Sequence, residues 1–164
     1  MMKKRVIFLL LVFAVGFALF GTAPVGHSQP VPEVGYAGVQ TCAGCHGDRA
    51  KGWQTTRHAK ALETLKKKSQ DTLPGCVKCH VTGFEKDGGY VDQELTPALA
   101  GVQCEACHGP AANHAANPMN KKNLIARPGE TICRECHTKG QDPKFDYANK
   151  KGLVHGENQK GGKP

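Results

Sequence analysis

Eight cysteines fall into four pairs, each with two residues between partners: Cys42 and Cys45, Cys76 and Cys79, Cys104 and Cys107, Cys133 and Cys136. Each pair is followed at once by histidine: His46, His80, His108 and His137. No cysteine is left over. The pattern is that of covalent c-type haem attachment, written four times. The spacing has a mechanical reason. Two thiols three positions apart on a helical turn reach the two vinyl groups on one edge of a haem, and the next residue aims its imidazole at the iron. Two such pairs could instead build a structural zinc site, one pair a redox dithiol, and all eight cysteines four disulfides. None of these explains a histidine after every pair. The expected cofactors are four covalently bound haem c groups.

Four irons then need sixth ligands. The remaining histidines are His27, His58, His114 and His155. Histidine is the usual partner in low-potential electron-transfer haems, so His58, His114 and His155 are the distal candidates. His27 lies beside an expected export cut. Met119 is the only methionine after that cut, and its Asn-Pro-Met-Asn setting argues against ligation. Three distal histidines for four irons leave one site open, or closed by water or a partner chain. The count alone does not say which.

Residues 1–28 have the layout of a secretory signal peptide. A basic start (MMKKR) precedes the apolar run 6–20, then Gly21-Thr22-Ala23. The mature chain should begin between Pro24 and Gln29, exported to the periplasm. Left uncleaved, the same run would be a membrane anchor. Its removal takes Lys3, Lys4 and Arg5 and lowers the formal charge from +8 to +5. Eight haem propionates and four ferric centres then bring the sum close to neutral. Scattered lysines in an exported chain, with a richer face at Lys66, Lys67 and Lys68, speak against nucleic acid as a partner.

Outside the apolar run the chain is polar, with most of its 20 Gly and 10 Pro. Side chains alone would make a thin core, so the haems should be the core. The expected fold is mainly α: a small multihaem cytochrome with short helices and long irregular segments wrapped around four haems. The domain spans 29–155, and 156–164 reads as a disordered tail. Apolar spacing through Trp53, His58, Ala61, Leu62 and Leu65 predicts one helix from Asp48 to Lys68. Each motif should sit on a short helix. Residues 81–103 read as a loop or small hairpin, and 109–130 as irregular.

The segments Trp53-x4-His58-Ala59-x-Ala61-Leu62, Cys76-x-x-Cys79-His80-x-Thr82-Gly83-Phe84 and Gly101-Val102-Gln103-Cys104-Glu105-Ala106-Cys107-His108-Gly109-Pro110 with His114 resemble the cytochrome c-554 family. So does Cys133-x-x-Cys136-His137-Thr138 with Phe145 and His155. The resemblance covers about residues 36–155. It implies a mainly helical tetrahaem electron carrier with haems in stacked pairs, of the kind that accepts electrons from hydroxylamine oxidoreductase. It also implies the ligand pairs His46 with His114, His108 with His155, and His137 with His58. The haem of His80 is then five-coordinate.

The expected role is electron transfer between a redox protein donor and an acceptor, rather than enzymatic turnover. Two alternatives remain at this stage. The His80 haem could bind a small ligand and reduce nitric oxide or another N-oxide, although no acid/base cluster surrounds Cys76–Phe84. The chain could also be a haem subunit of a larger exported complex.

Overall fold

Short helical turns joined by irregular chain make up the computed structural model, which describes residues 35–156. These all belong to one unit, Val31–Pro164. The expected signal segment 1–28, His27 and residues 157–164 lie outside the described residues. The elements run α1 (Val39–Ala43), α2 (Gly47–Gln54), α3 (Ala61–Lys66), α4 (Pro74–Val77), α5 (Cys104–His108), α6 (Ala112–Ala116), α7 (Glu130–Arg134) and α8 (Tyr147–Lys150). Single 3-10 turns occupy Pro97–Leu99 and Lys151–Leu153. No strand forms among the described residues, and one isolated antiparallel bridge joins Val81 to Ala100. The fold is thus mainly α, with short helices and irregular segments. Among the described residues, no helix is long and apolar enough to cross a membrane.

The helix expected from Asp48 to Lys68 is two helices, α2 and α3, separated by a turn. Thr55 and Thr56 cause the break. Their hydroxyls donate to the Gly52 and Trp53 carbonyls at 2.8 and 2.7 Å. Thr56 Oγ1 also accepts from Ala59 N at 3.3 Å. Side chains that compete for backbone groups in this way end helices. Trp53, Ala61, Leu62 and Leu65 are nevertheless buried. The apolar spacing reported burial, and continuity was lost to local hydrogen bonding. His58 therefore rides on a turn and not on a helix face.

Residues 81–103 form the loop of the two expected alternatives, with a 3-10 turn at Pro97–Leu99 and one isolated Val81–Ala100 bridge in place of a hairpin. Two further differences lie beyond it in the chain. Within 109–130 the run Ala112–Ala116 is helical and carries His114, in keeping with the helix propensity of its alanines. At the other end Gly156, placed in the tail by composition, is buried. It has φ +86, and any Cβ there would strike the Gly52 backbone. Only glycine allows this approach at no steric cost.

The apolar core is small. One cluster joins Leu62, Leu65, Val77, Val81, Tyr90 and Leu99, with Cys76 of the second motif packed against it. The other joins Val39, Ala50 and Trp53, with Cys104 of the third motif against it. Both clusters therefore end on haem-motif cysteines, and the aliphatic packing serves as backing for the motifs.

Candidate haem-binding sites

Each motif begins on a helical turn. Cys42 lies in α1, Cys76 in α4, and Cys133 in α7, while α5 spans the whole of Cys104–His108. Helical winding brings the two thiols of a pair to one side, since residues three apart share a face. All eight thiols are outside disulfides. Among the described residues no three or more His, Cys, Asp or Glu side chains gather as a metal-ion cluster, which a zinc reading would need. The thiols of different motifs meet instead. Cys42 and Cys104 are hydrogen-bond partners, which raises the Cys42 pKa and holds Cys104 down at about 7. Cys136 is pushed up to about 12 by burial and by its hydrogen bond with Cys79. Motif one thus abuts motif three, and motif two abuts motif four.

The histidines come together in pairs. His46 faces His114 with ring centroids 6.4 Å apart and planes at 25°. His108 faces His155 at 6.1 Å and 25°. His58 faces His137 at 6.1 Å, but its planes are tilted by 56°. Direct stacking has a different distance in this same molecule: Phe145 lies on the His137 ring at 4.3 Å and 17°. The facing histidines stand roughly 2 Å wider. A spacing of that size would accommodate one metal atom between two ring nitrogens, each at about 2 Å.

Hydrogen bonds fix which nitrogen points inward. His80 Nδ1 donates to Ala61 O at 2.7 Å, His108 Nδ1 to Ile125 O at 2.7 Å, and His114 Nδ1 to Asn120 O at 3.1 Å. A carbonyl only accepts, so Nδ1 must carry the proton and Nε2 keeps its lone pair for a metal. His137 Nδ1 makes the corresponding contact with Asp142 Oδ2 at 2.9 Å. Burial lowers the His58 pKa first, with His137 adding to the shift. Burial also lowers that of His155, helped by Arg49 and His108. Both shifts favour the neutral ring, the form that ligates. His80 alone of the four motif histidines has no described ring opposite it, because His58, His114 and His155 each face another one.

A buried polar frame positions motif three. Glu105, 3% exposed, sits between its two cysteines. Its carboxylate accepts from Ala37 N at 2.8 Å, Gly38 N at 2.8 Å and Ala111 N at 2.8 Å. The lead-in to motif one, motif three and the segment before His114 are thereby tied to one side chain. Gln103 Oε1 accepts from Val39 N at 2.7 Å, and its Nε2 donates to Ala98 O and Ala100 O. Thr82, fully buried, accepts from Gln103 N and donates to Gly101 O. Trp53 Nε1 donates to Val102 O at 2.8 Å. Gly101, at φ +83, lets the chain pass close to Ala59 O. Composition gave no sign that Glu105, Gln103 and Thr82 would be interior, since their types are ordinarily exposed.

Residues 41–109 match the family described as "Cytochrome c554 and c-prime", and residues 96–142 match the doubled CXXCH motif. The chain is 35% identical over 148 residues to "Cytochrome c-554" of Nitrosomonas europaea, covering 80% of this chain and 62% of that protein. The solved structure of reduced cytochrome c554 from the same organism superposes with a TM-score of 0.60 at 27% identity, covering 75% of this chain and 84% of that one. The chain is thus similar in sequence and in fold to the cytochrome c554 family. In cytochromes of this type, CXXCH motifs such as its own imply covalently bound haem c. It is also 31% identical over 108 residues to "Multiheme cytochrome MtrA" of Shewanella baltica, covering 54% of this chain and 32% of that protein. The matches thus span less than two thirds of both relatives' own lengths.

Proposed function

We propose that this chain is a periplasmic tetrahaem cytochrome that passes electrons between a redox protein donor and acceptor. The observation that carries this reading is the common spacing of the three facing histidine pairs, each made from distant parts of the sequence. Similarity to multihaem cytochromes supports the electron-transfer role, and the leader-like residues 1–28 support export. When bound, each haem supplies a one-electron ferric/ferrous couple. The residues do the rest. Cys42, Cys45, Cys76, Cys79, Cys104, Cys107, Cys133 and Cys136 are the thioether anchors. His46, His80, His108 and His137 are the proximal ligands. His114, His155 and His58 are distal to His46, His108 and His137 in that order. The meeting of Cys42 with Cys104, and of Cys79 with Cys136, holds the attachment edges of motifs one and three, and of two and four, side by side. Haems anchored there would lie near one another, which would suit electron exchange.

Mass spectrometry of acid-treated protein tests the haem count. The chain is expected to retain four haems, and release of haem from any motif into acidic organic solvent would overturn the count. The ligand assignment has its own test. Substituting His58, His114 or His155 with Ala should convert one low-spin haem to high-spin and raise its potential, because a strong imidazole donor is lost. Unchanged spectra in His155→Ala would remove that residue from the ligand set.

A second reading draws on His80. With no imidazole opposite His80 among the described residues, a haem anchored by Cys76 and Cys79 would keep a sixth position open to a small ligand such as nitric oxide. Electron paramagnetic resonance of the oxidised protein separates the two cases. A high-spin signal beside low-spin ones supports the open site, and an entirely low-spin spectrum refutes it.

A further inference from the structure

The four Nδ1 contacts resolved above are not alike. His80, His108 and His114 each meet a neutral backbone carbonyl. His137 meets the carboxylate of Asp142, at 2.9 Å. We propose that Asp142 is a positioning residue that tunes the His137 site, making it more reluctant to accept an electron than the sites whose imidazoles meet backbone carbonyls. The inference rests on the electron-carrier reading and adds a direction to it.

A carboxylate beside Nδ1 draws that proton toward itself and leaves the ring richer in electron density. A ring so polarised is a stronger donor through Nε2 and favours the more highly charged ferric state. A carbonyl dipole does the same more weakly. The charge of Asp142 is not spent elsewhere. The nearby guanidinium of Arg134 is paired with Glu130 at 2.9 Å and donates to the His137 and Phe145 carbonyls at 3.3 Å. Nor is the ring free to turn away. Phe145 stacks on it at 4.3 Å, and Arg134 lies over Phe145 at 4.8 Å from the ring centre. Asp142 is itself held by its backbone. Its N donates to Thr138 O at 2.8 Å, and its O accepts from Phe145 N at 3.1 Å. Those contacts survive any change of side chain.

The same site carries its own spectroscopic marker. Its facing rings are tilted by 56°, against 25° in the other two pairs. Strongly tilted axial rings bring the iron d-orbitals closer in energy, and the low-spin signal moves to a larger maximal g value. That signal can be followed separately in a redox titration.

The test uses purified holoprotein of wild type, Asp142→Asn and Asp142→Glu, titrated by electron paramagnetic resonance. Asn keeps a carbonyl for the Nδ1 proton and removes the charge, and Glu restores the charge. In Asp142→Asn the large-g haem is expected to be about tenfold more reduced at a fixed poise, equivalent to about 59 mV for a one-electron couple. The other haems should hold their midpoints, and Asp142→Glu should move the large-g haem back toward wild type. An unchanged large-g midpoint in Asp142→Asn overturns the role of Asp142, as does an equal shift of every haem. Absence of any large-g low-spin signal from wild type overturns the pairing of His58 with His137 and, with it, this proposal.

Discussion

Replacing Glu105 with Ala is expected to destabilise the protein by roughly 3 kcal/mol or more, at about 1–3 kcal/mol for each buried donor left unpaired. Three backbone N–H groups, those of Ala37, Gly38 and Ala111, lose their acceptor together. Glu105 is 3% exposed, so bulk solvent does not take over its three bonds directly. The damage should not stay local. The lead-in to motif one and the segment before His114 both hang on this side chain, so His46 and His114 lose their common frame. A denaturant melt of the holoprotein reads the first effect, and the low-spin signal of one haem reads the second. Glu105→Gln keeps one acceptor oxygen and should cost less than the Ala variant. Equal stability of wild type and Glu105→Ala would show that the frame is redundant.

The other large effect concerns the chain without haem. Two small clusters supply the aliphatic core, and each ends on a motif cysteine. The facing histidine rings stand 6.4 and 6.1 Å apart, too far for direct packing on one another. A chain of this size with so little apolar burial lacks the surplus to offset the entropy of ordering it. Substituting all eight cysteines with Ser, or producing the chain where haem is not attached, should abolish the cooperative thermal transition. Far-UV circular dichroism and limited proteolysis check this. The haem-free chain is expected to lose most helical signal and to be cut throughout residues 35–156. A sharp melt and a protease-resistant core in that chain would mean that the polar frame around Gln103 and Glu105 suffices for folding.

The motifs were legible because they are local. A thiol pair and its histidine lie within five residues, and the chemistry of attachment dictates their order, so no knowledge of the fold was needed to read them. The family resemblance was legible for the same reason, in blocks such as Gly101–Pro110. The mainly α character was implied by the resemblance and by the short helix that each attachment motif was expected to occupy. The break between α2 and α3 was harder to see. It depends on whether Thr55 and Thr56 bond back to the preceding turn or face water, and apolar periodicity is blind to that choice.

By itself the sequence determined the number and type of attachment motifs, the shortage of one histidine against four irons, and the dependence of the core on something besides side chains. Only the tertiary structure decided which rings stand opposite one another, since their spacing along the chain carries no such information; the resemblance had implied those partners, and residue types alone had not. It also decided that Glu105 is interior and joins Ala37, 68 positions away, to motif three. And it decided that Asp142, one acid among many, is the one that meets His137. The reason is common to the last two. A carboxylate in sequence looks like a solvated surface group, and its meaning comes from the donors that the folded chain brings to it from elsewhere.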